Sequence, residues 1–232
     1  MKKYRNEWKY RCDQRGLDTL TERLSAILER DKNADAEGKS VVHSLYFDDY
    51  HDTCARENDA KVAKRYKYRI RFYGNDTNVI KLERKEKLYG RCYKAACLIS
   101  CKEYEQIISG DIHNLFWNSD NDILRKFCVE VMTRGFSPKA IIDYERYAFV
   151  EPITNIRITI DKNISVSDDL DNFLCSNYQK YPLQEVGQHV LEVKFDYILP
   201  GYIKQVVTEP DLVQTNFSKY YFGRLKLQEM RR

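Results

Sequence analysis

Charged and apolar residues alternate at a period of two in four segments of the chain. In Arg5-Asn6-Glu7-Trp8-Lys9-Tyr10-Arg11-Cys12 the odd positions are charged, and the even ones include Trp8, Tyr10 and Cys12. In Arg65-Tyr66-Lys67-Tyr68-Arg69-Ile70-Arg71-Phe72 the odd positions are all cations and the even ones all apolar or aromatic. Val79 to Lys87 sets Lys81, Glu83, Lys85 and Lys87 against Ile80 and Leu82. His189 to Asp196 sets Glu192, Lys194 and Asp196 against Leu191, Val193 and Phe195. Side chains alternate faces along a strand, so each segment predicts a strand with one apolar and one charged face.

The rest of the pattern fills in an order of elements. Thr19 and Glu22 make a capping-box pattern at a helix with an apolar stripe at Leu20, Leu24, Ile27 and Leu28. Val41 to Phe47 predicts a strand that ends in a polar turn at Asp48-Asp49-Tyr50. A turn at Lys87-Leu88-Tyr89-Gly90 leads into a strand from Arg91 to Ile99. Ser100 with Glu103 caps a short helix ending near Gly110, and a helix from about Asp122 to Arg134 stops at Gly135. Strands follow from Pro138 to Phe149 and from Ile156 to Asp161, then a short helix near Tyr202 to Thr208 and a final helix from Phe217 to Met230. Strands at hairpin-like spacing indicate antiparallel pairing in an α+β fold rather than βαβ units. Gly38-Lys39-Ser40 resembles the end of a phosphate-binding P-loop, but Asn33 stands where that motif needs glycine, so the segment reads as a loop.

Composition narrows the class. A chain of 232 residues that is 43% hydrophobic can bury a real core, and residues 1–232 read as one domain. The 18 tyrosines suit half-buried strands. Net charge is only +4, so any preference for anions must come from placement rather than from total charge. The seven cysteines form no CxxC pair, and the four histidines do not join them at zinc spacing; free thiols in a reducing cytosol are expected. No apolar run follows the N-terminus, and no stretch approaches the roughly 20 apolar residues of a membrane span. A soluble, cytoplasmic protein is expected.

The charged faces carry the candidate chemistry. A charged face on one antiparallel strand ordinarily meets solvent. Arg65, Lys67, Arg69 and Arg71, however, crowd one face of one strand, and their mutual repulsion must be offset by counter-ions or by a bound polyphosphate. Arginine suits phosphate because its planar fork binds oxygens in pairs. Glu7 precedes Lys9, Glu83 precedes Lys85 and Glu192 precedes Lys194, each at spacing two. Such pairs form same-face salt bridges; they also supply both groups that a metal-bound phosphate chain needs, carboxylates for Mg²⁺ or Mn²⁺ and cations for the remaining oxygens.

An ordered set of short motifs runs through nearly the whole chain. It comprises Glu7-Trp8-Lys9-Tyr10, Ser44-Leu45-Tyr46-Phe47-Asp48, Arg69-Ile70-Arg71, Leu82-Glu83-Arg84-Lys85 and Tyr144-Glu145-Arg146, then Arg157-Ile158-Thr159-Ile160-Asp161, Leu191-Glu192-Val193-Lys194 and Ser218-Lys219-Tyr220. The set resembles the catalytic domain of the vacuolar transporter chaperone (VTC) polyphosphate polymerases, members of the CYTH-like triphosphate tunnel metalloenzymes. The resemblance implies a closed antiparallel β-barrel, the triphosphate tunnel, with a basic interior and flanking helices. It implies Lys9, Arg69, Arg71, Lys85, Arg146 and Lys194 as phosphate-gripping catalytic cations. It implies Lys94, Tyr144, Ser218 and Lys219 as further substrate contacts and Glu192 as metal ligand, while Glu7 and Glu83 stand as further metal candidates from their spacing. The expected activity is metal-dependent transfer of the ATP γ-phosphate to inorganic polyphosphate, with Mn²⁺ or Mg²⁺ as cofactor. The rivals are a triphosphatase, with Glu7 or Glu83 as base, and a non-catalytic polyphosphate-binding module. No nucleic-acid partner is expected, because Tyr66, Tyr68 and Phe72 lie opposite the cations. A membrane-associated partner and the oligomeric state stay open.

Overall fold

The computed structural model describes residues 2–32, 34–208 and 212–231. Strand β1 (Asn6–Asp13) runs into helix α1 (Gln14–Ile27), and a short β2 (Glu29–Arg30) precedes the long β3 (Lys39–Asp48). Helix α2 (Thr53–Asp59) leads to a meander of β4 (Lys64–Tyr73), β5 (Asp76–Leu88) and β6 (Arg91–Ile99). Helices α3 (Cys101–Ser109), α4 (Ile112–Asn118) and α5 (Asp122–Arg134) follow, then the hairpin of β7 (Ser137–Glu151) and β8 (Ile156–Ser167). The chain closes with β9 (Tyr181–Pro182), β10 (Gln188–Phe195), α6 (Gly201–Val207), β11 (Val213–Gln214) and α7 (Lys219–Met230).

The strands form one antiparallel sheet in the order β11-β1-β10-β8-β7-β3-β4-β5-β6, with β2 on β7 and β9 on β8. The sheet is an open path, so the expected closed barrel is not a continuous ladder. Beside the β11 end, the residue before β1 meets β6 at one isolated bridge, where Arg5 and Cys92 exchange backbone hydrogen bonds of 2.8 Å each way. The curl puts one face of each strand inside and the other under helices.

Two apolar layers cover the outer face. Tyr68, Ile70 and Phe72 of β4 belong to the larger cluster, which takes in Phe127 and Cys128 of α5 and Leu115 of α4. Tyr10, Cys12, Leu191 and Val193 pack with Leu17, Leu20 and Leu24 of α1 and Ile203 of α6. The apolar half of each alternating strand therefore faces outward. Helix α7 meets the other face: a Cβ on Gly223 would sit 2.5 Å from Ile142 Cδ1 and 3.2 Å from Val166 Cγ2. That close approach lets the N-terminus of α7 reach the charged interior.

Several local expectations need correction. Helix α1 begins a turn before Thr19, capped by the Asp13 carboxylate on the Gly16 amide at 2.8 Å; Thr19 lies inside the helix, its hydroxyl on the Arg15 carbonyl. The turn after β3 contains α2, whose Cys54 and Ala55 amides donate to the buried Asp48 carboxylate at 2.9 and 3.1 Å. Helix α4 was not anticipated. The Ser100–Glu103 capping box and the Gly135 cap, at φ +65°, form as expected. No helix among the described residues is long and apolar enough to cross a membrane.

Candidate functional site

Register builds the site. Across β3 and β4, Tyr46 pairs with Arg69 and Ser44 with Arg71. Arg69 Nη1 donates to the Tyr46 hydroxyl at 2.8 Å, and Arg71 donates to Ser44 Oγ at 3.0 Å and to the Tyr144 hydroxyl at 2.7 Å. Glu83 faces Arg69 from β5 and takes its Nε and Nη2 at 2.8 and 2.6 Å. Arg71 stands 3.8 Å from the same carboxylate and Lys94 at 3.0 Å from its other oxygen. Between β7 and β8, Arg146 grips Asp161 with two parallel bonds of 2.6 and 2.8 Å, and Lys219 of α7 adds a third at 2.5 Å. Three guanidinium groups are thus fixed by buried carboxylates, tyrosines and a serine. Burial opposes the ionised carboxylates, but these cations override it and hold Glu83 and Asp161 well below the usual range.

Lysines make up the other side. Glu7 has no exposed side-chain surface; it accepts from Lys85 at 2.5 Å and Cys92 at 3.0 Å and lies 3.4 Å from Lys87. Because Lys85 and Cys92 belong to β5 and β6, these contacts tie β1 across the open edge of the sheet. Glu192 pairs with Lys194 on its own strand and with Lys9 at 3.4 Å. Lys9 also donates to the Phe217 carbonyl at 2.9 Å, and Lys67 reaches Ser218 Oγ at 3.4 Å. Burial lowers Lys67 to about 7 and Lys219 to about 8, and it lowers Lys194 and Lys87 as well. Burial would raise the Tyr46 phenol, but Arg69, Lys67 and Arg71 bring it down to about 7.

These side chains surround two adjoining cavities. The first, of about 690 Å³, contains Arg69, Arg71, Arg146, Glu192, Lys194 and Lys219 in its wall. Tyr144 and Lys94 line it too. The second, of about 790 Å³, opens beside Ser218 and Glu7. Asn6, Lys9, Lys67 and Lys85 line both. Glu83 lies behind Arg69 in neither wall, as a buried counter-ion. The spacing-two carboxylates choose different partners: Glu192 takes Lys194 of its own strand, whereas Glu7 takes Lys85 and Glu83 takes Arg69.

Lys67, Tyr46 and Asp161 belong to this constellation and were not among the expected site residues. The four aligned cations of β4 contained the signal for Lys67. Tyr46 and Asp161 stand in the quoted motifs without an expected role, one lying in a nearly continuous apolar run and the other partnered by residues distant in sequence.

A hard divalent ion needs oxygen donors. Among the described residues no three His, Cys, Asp or Glu side chains come together as a ready site. Glu192 reaches the cavity, and beside it the buried Thr159 hydroxyl has no partner among the described residues. This donor chemistry fits an ion that draws its other ligands from phosphate oxygens and water.

A family model described as the VTC domain matches residues 4–228. No curated protein matches the chain. Among solved structures, HpAC1 from Hippeastrum, described as a candidate adenylyl cyclase with a dominant triphosphatase activity, aligns at TM-score 0.56 and 15% identity, covering 96% of each chain. A candidate adenylate cyclase, bh2851 from Bacillus halodurans, aligns at TM-score 0.51 and 9% identity, covering 99% of this chain and 88% of that one. These likenesses show a shared fold.

Proposed function

The chain belongs to the VTC domain family, and from that premise we propose that it is a triphosphate-tunnel enzyme that transfers the γ-phosphoryl of ATP to inorganic polyphosphate. The observation that carries this reading is the meeting of two cavities at Lys9, Lys67 and Lys85. A polymerase has to hold a donor triphosphate and an acceptor chain in line, and two basic chambers with shared lysines between them offer that arrangement. On this reading the curled sheet acts as a closed tunnel, sealed by the Arg5–Cys92 bridge and the contacts of Glu7.

Phosphoryl transfer asks for positioning and charge neutralisation more than for covalent help. Arg69, Arg71 and Arg146 are held in place before substrate arrives, so they bind equatorial phosphate oxygens with little reorganisation. Lys9, Lys85, Lys194 and Lys219 follow the chain as flexible point charges. Lys94 guides phosphate at the rim, while Tyr144 and Ser218 orient Arg71 and Lys67. Glu192 is the carboxylate assigned to Mg²⁺ or Mn²⁺, which when bound neutralises charge on the bridging oxygens. Glu7 and Glu83, already engaged by cations, serve as counter-ions rather than ligands.

The second reading is a triphosphatase. Glu7 and Glu83 make poor bases for it, since surrounding cations hold both below the usual carboxylate range, too weakly basic to take a proton from water. Tyr46 favours it instead: with its value near 7, it is partly phenolate at neutral pH, and the phenolate can take a proton from water. Incubating the protein with ATP, Mn²⁺ and a short polyphosphate primer separates the readings. Lengthened chains support the polymerase. Orthophosphate released in step with ATP loss supports the hydrolase, and unconsumed ATP removes both.

A further inference from the structure

The Thr159 hydroxyl is left out of the networks just described. It lies on β8 between Arg157, which lines the first cavity, and Asp161, which holds Arg146 and Lys219. By strand parity its side chain faces the same interior. Thr159 is 1% exposed, and its hydroxyl has no hydrogen-bond partner among the described residues. In register it stands beside Glu192 of β10 on one side and Ala148 of β7 on the other. Facing side chains on paired strands have Cβ atoms about 4.5–5.5 Å apart, so the hydroxyl and the Glu192 carboxylate border one small volume. Ala148 sets no more than a methyl group against it.

A buried hydroxyl without a partner lowers stability and needs a reason. Valine would fill the same place with good strand propensity and no orphaned oxygen. The neighbouring interior carboxylates are all engaged, so the unpaired atom is not a sign of a loosely built region. It stands next to the one carboxylate assigned to a metal.

We infer that Thr159 is a second protein oxygen donor for the divalent cation that accompanies the phosphate chain, bordering it from β8 while Glu192 borders it from β10. The inference rests on the triphosphate reading and extends it. A neutral hydroxyl is an acceptable ligand for Mg²⁺ or Mn²⁺, as it is where a threonine or serine joins phosphate around Mg²⁺. The lysines impose an order on it. Without phosphate, Lys194 and Lys9 engage the two Glu192 oxygens. Phosphate oxygens draw those ammonium groups away and free the carboxylate. Cation uptake is therefore phosphate-dependent.

The test uses the full chain with Mn²⁺ and imidodiphosphate, a non-hydrolysable pyrophosphate analogue, followed by electron paramagnetic resonance and calorimetry. Thr159→Val should weaken Mn²⁺ binding at least about fivefold, and Thr159→Ser should restore it. In the absence of both ligands Thr159→Val should melt no lower than the wild type, because it removes an unsatisfied group. If Thr159→Val binds Mn²⁺ normally while Glu192→Gln does not, the Thr159 assignment is wrong and the Glu192 reading stands. If the wild type itself takes up no Mn²⁺ with imidodiphosphate, both fall together. Should the valine variant fail to fold, the ligand sphere in a Mn²⁺-soaked wild-type crystal decides: an ion bound to Glu192 but away from Thr159 Oγ1 overturns the inference.

Discussion

The arginine side of the cavity and its lysine side carry the same sign of charge and hold it in different ways. Arg69, Arg71 and Arg146 are pinned by Glu83, Asp161, Tyr46 and Tyr144, and a guanidinium stays protonated throughout the working pH range. Lys67, Lys194 and Lys219 are forced together by the fold, and burial lowers all three, bringing Lys67 to about 7 and Lys219 to about 8. One region is a permanent electrostatic fixture; the other becomes fully charged when something anionic stabilises it. Anion binding is thus expected to take up protons on one side of the cavity and none on the other, which the pH dependence of affinity would show.

The strongest way to break this contrast is to remove a pinned arginine. Arg69→Met should lower turnover about 10²–10³-fold, the loss expected for one preorganised charge donor. It also strips Glu83 of its closest partner, so the variant should be destabilised by about 3 kcal/mol, read by chemical denaturation. Equal losses in an Arg69→Lys variant would sharpen the point, because lysine restores the charge without the fork.

A pH series tests the other side. Sulfate keeps a fixed charge between pH 6 and 9, so its affinity reports the protein alone. Binding should weaken by about tenfold as pH rises through the Lys67 and Lys219 values near 7 and 8, and Lys67→Arg should flatten the fall. Stability of the unliganded protein should move the opposite way. The folded Lys67 value lies below the unfolded one, so the unfolded chain binds more protons between them. Stability is then lowest below about 7 and recovers as pH climbs toward about 10.4. Tyr46 contributes with the same sign. A melting temperature that falls with pH from 7 to 9 would contradict the buried-lysine account.

The smallest effect is expected at the rim. Lys94 lies 3.0 Å from Glu83, but its side chain is 55% exposed. Lys94→Met should change turnover by less than about threefold, as exposed ion pairs contribute little.

The charged interior was legible in the sequence where strands keep one face apolar. Alternation along β4 and β10 put Arg69, Arg71, Glu192 and Lys194 on charged faces, and the family resemblance implied that those faces turn inward. β3 hid its contribution because both faces are buried. Leu45 and Phe47 pack outward while Ser44 and Tyr46 hold arginines, and Val41 to Phe47 offers little polarity to tell them apart. Asp161 could be placed on a strand but not given a partner, since Arg146 and Lys219 reach it from 15 and 58 residues away. Carboxylate roles were the least legible. Spacing on one strand says that Glu7 and Lys9 share a face; it cannot say that Lys85 and Cys92 will stand closer. Short helices such as α2 escaped because their ends are fixed by tertiary groups, among them Asp48.

The seam between β1 and β6 bears on topology in the mathematical sense. Everywhere else around the sheet, neighbouring strands share ladders; here two backbone hydrogen bonds span the gap, helped by side chains around Glu7. A tube with an unbroken wall can capture a long polymer only by its ends. A ring with a clasp can also take it sideways, and release it without unthreading. For the proposed polyphosphate substrate, the effect of chain length would therefore be decided at Arg5 and Cys92 as much as in the middle of the cavity.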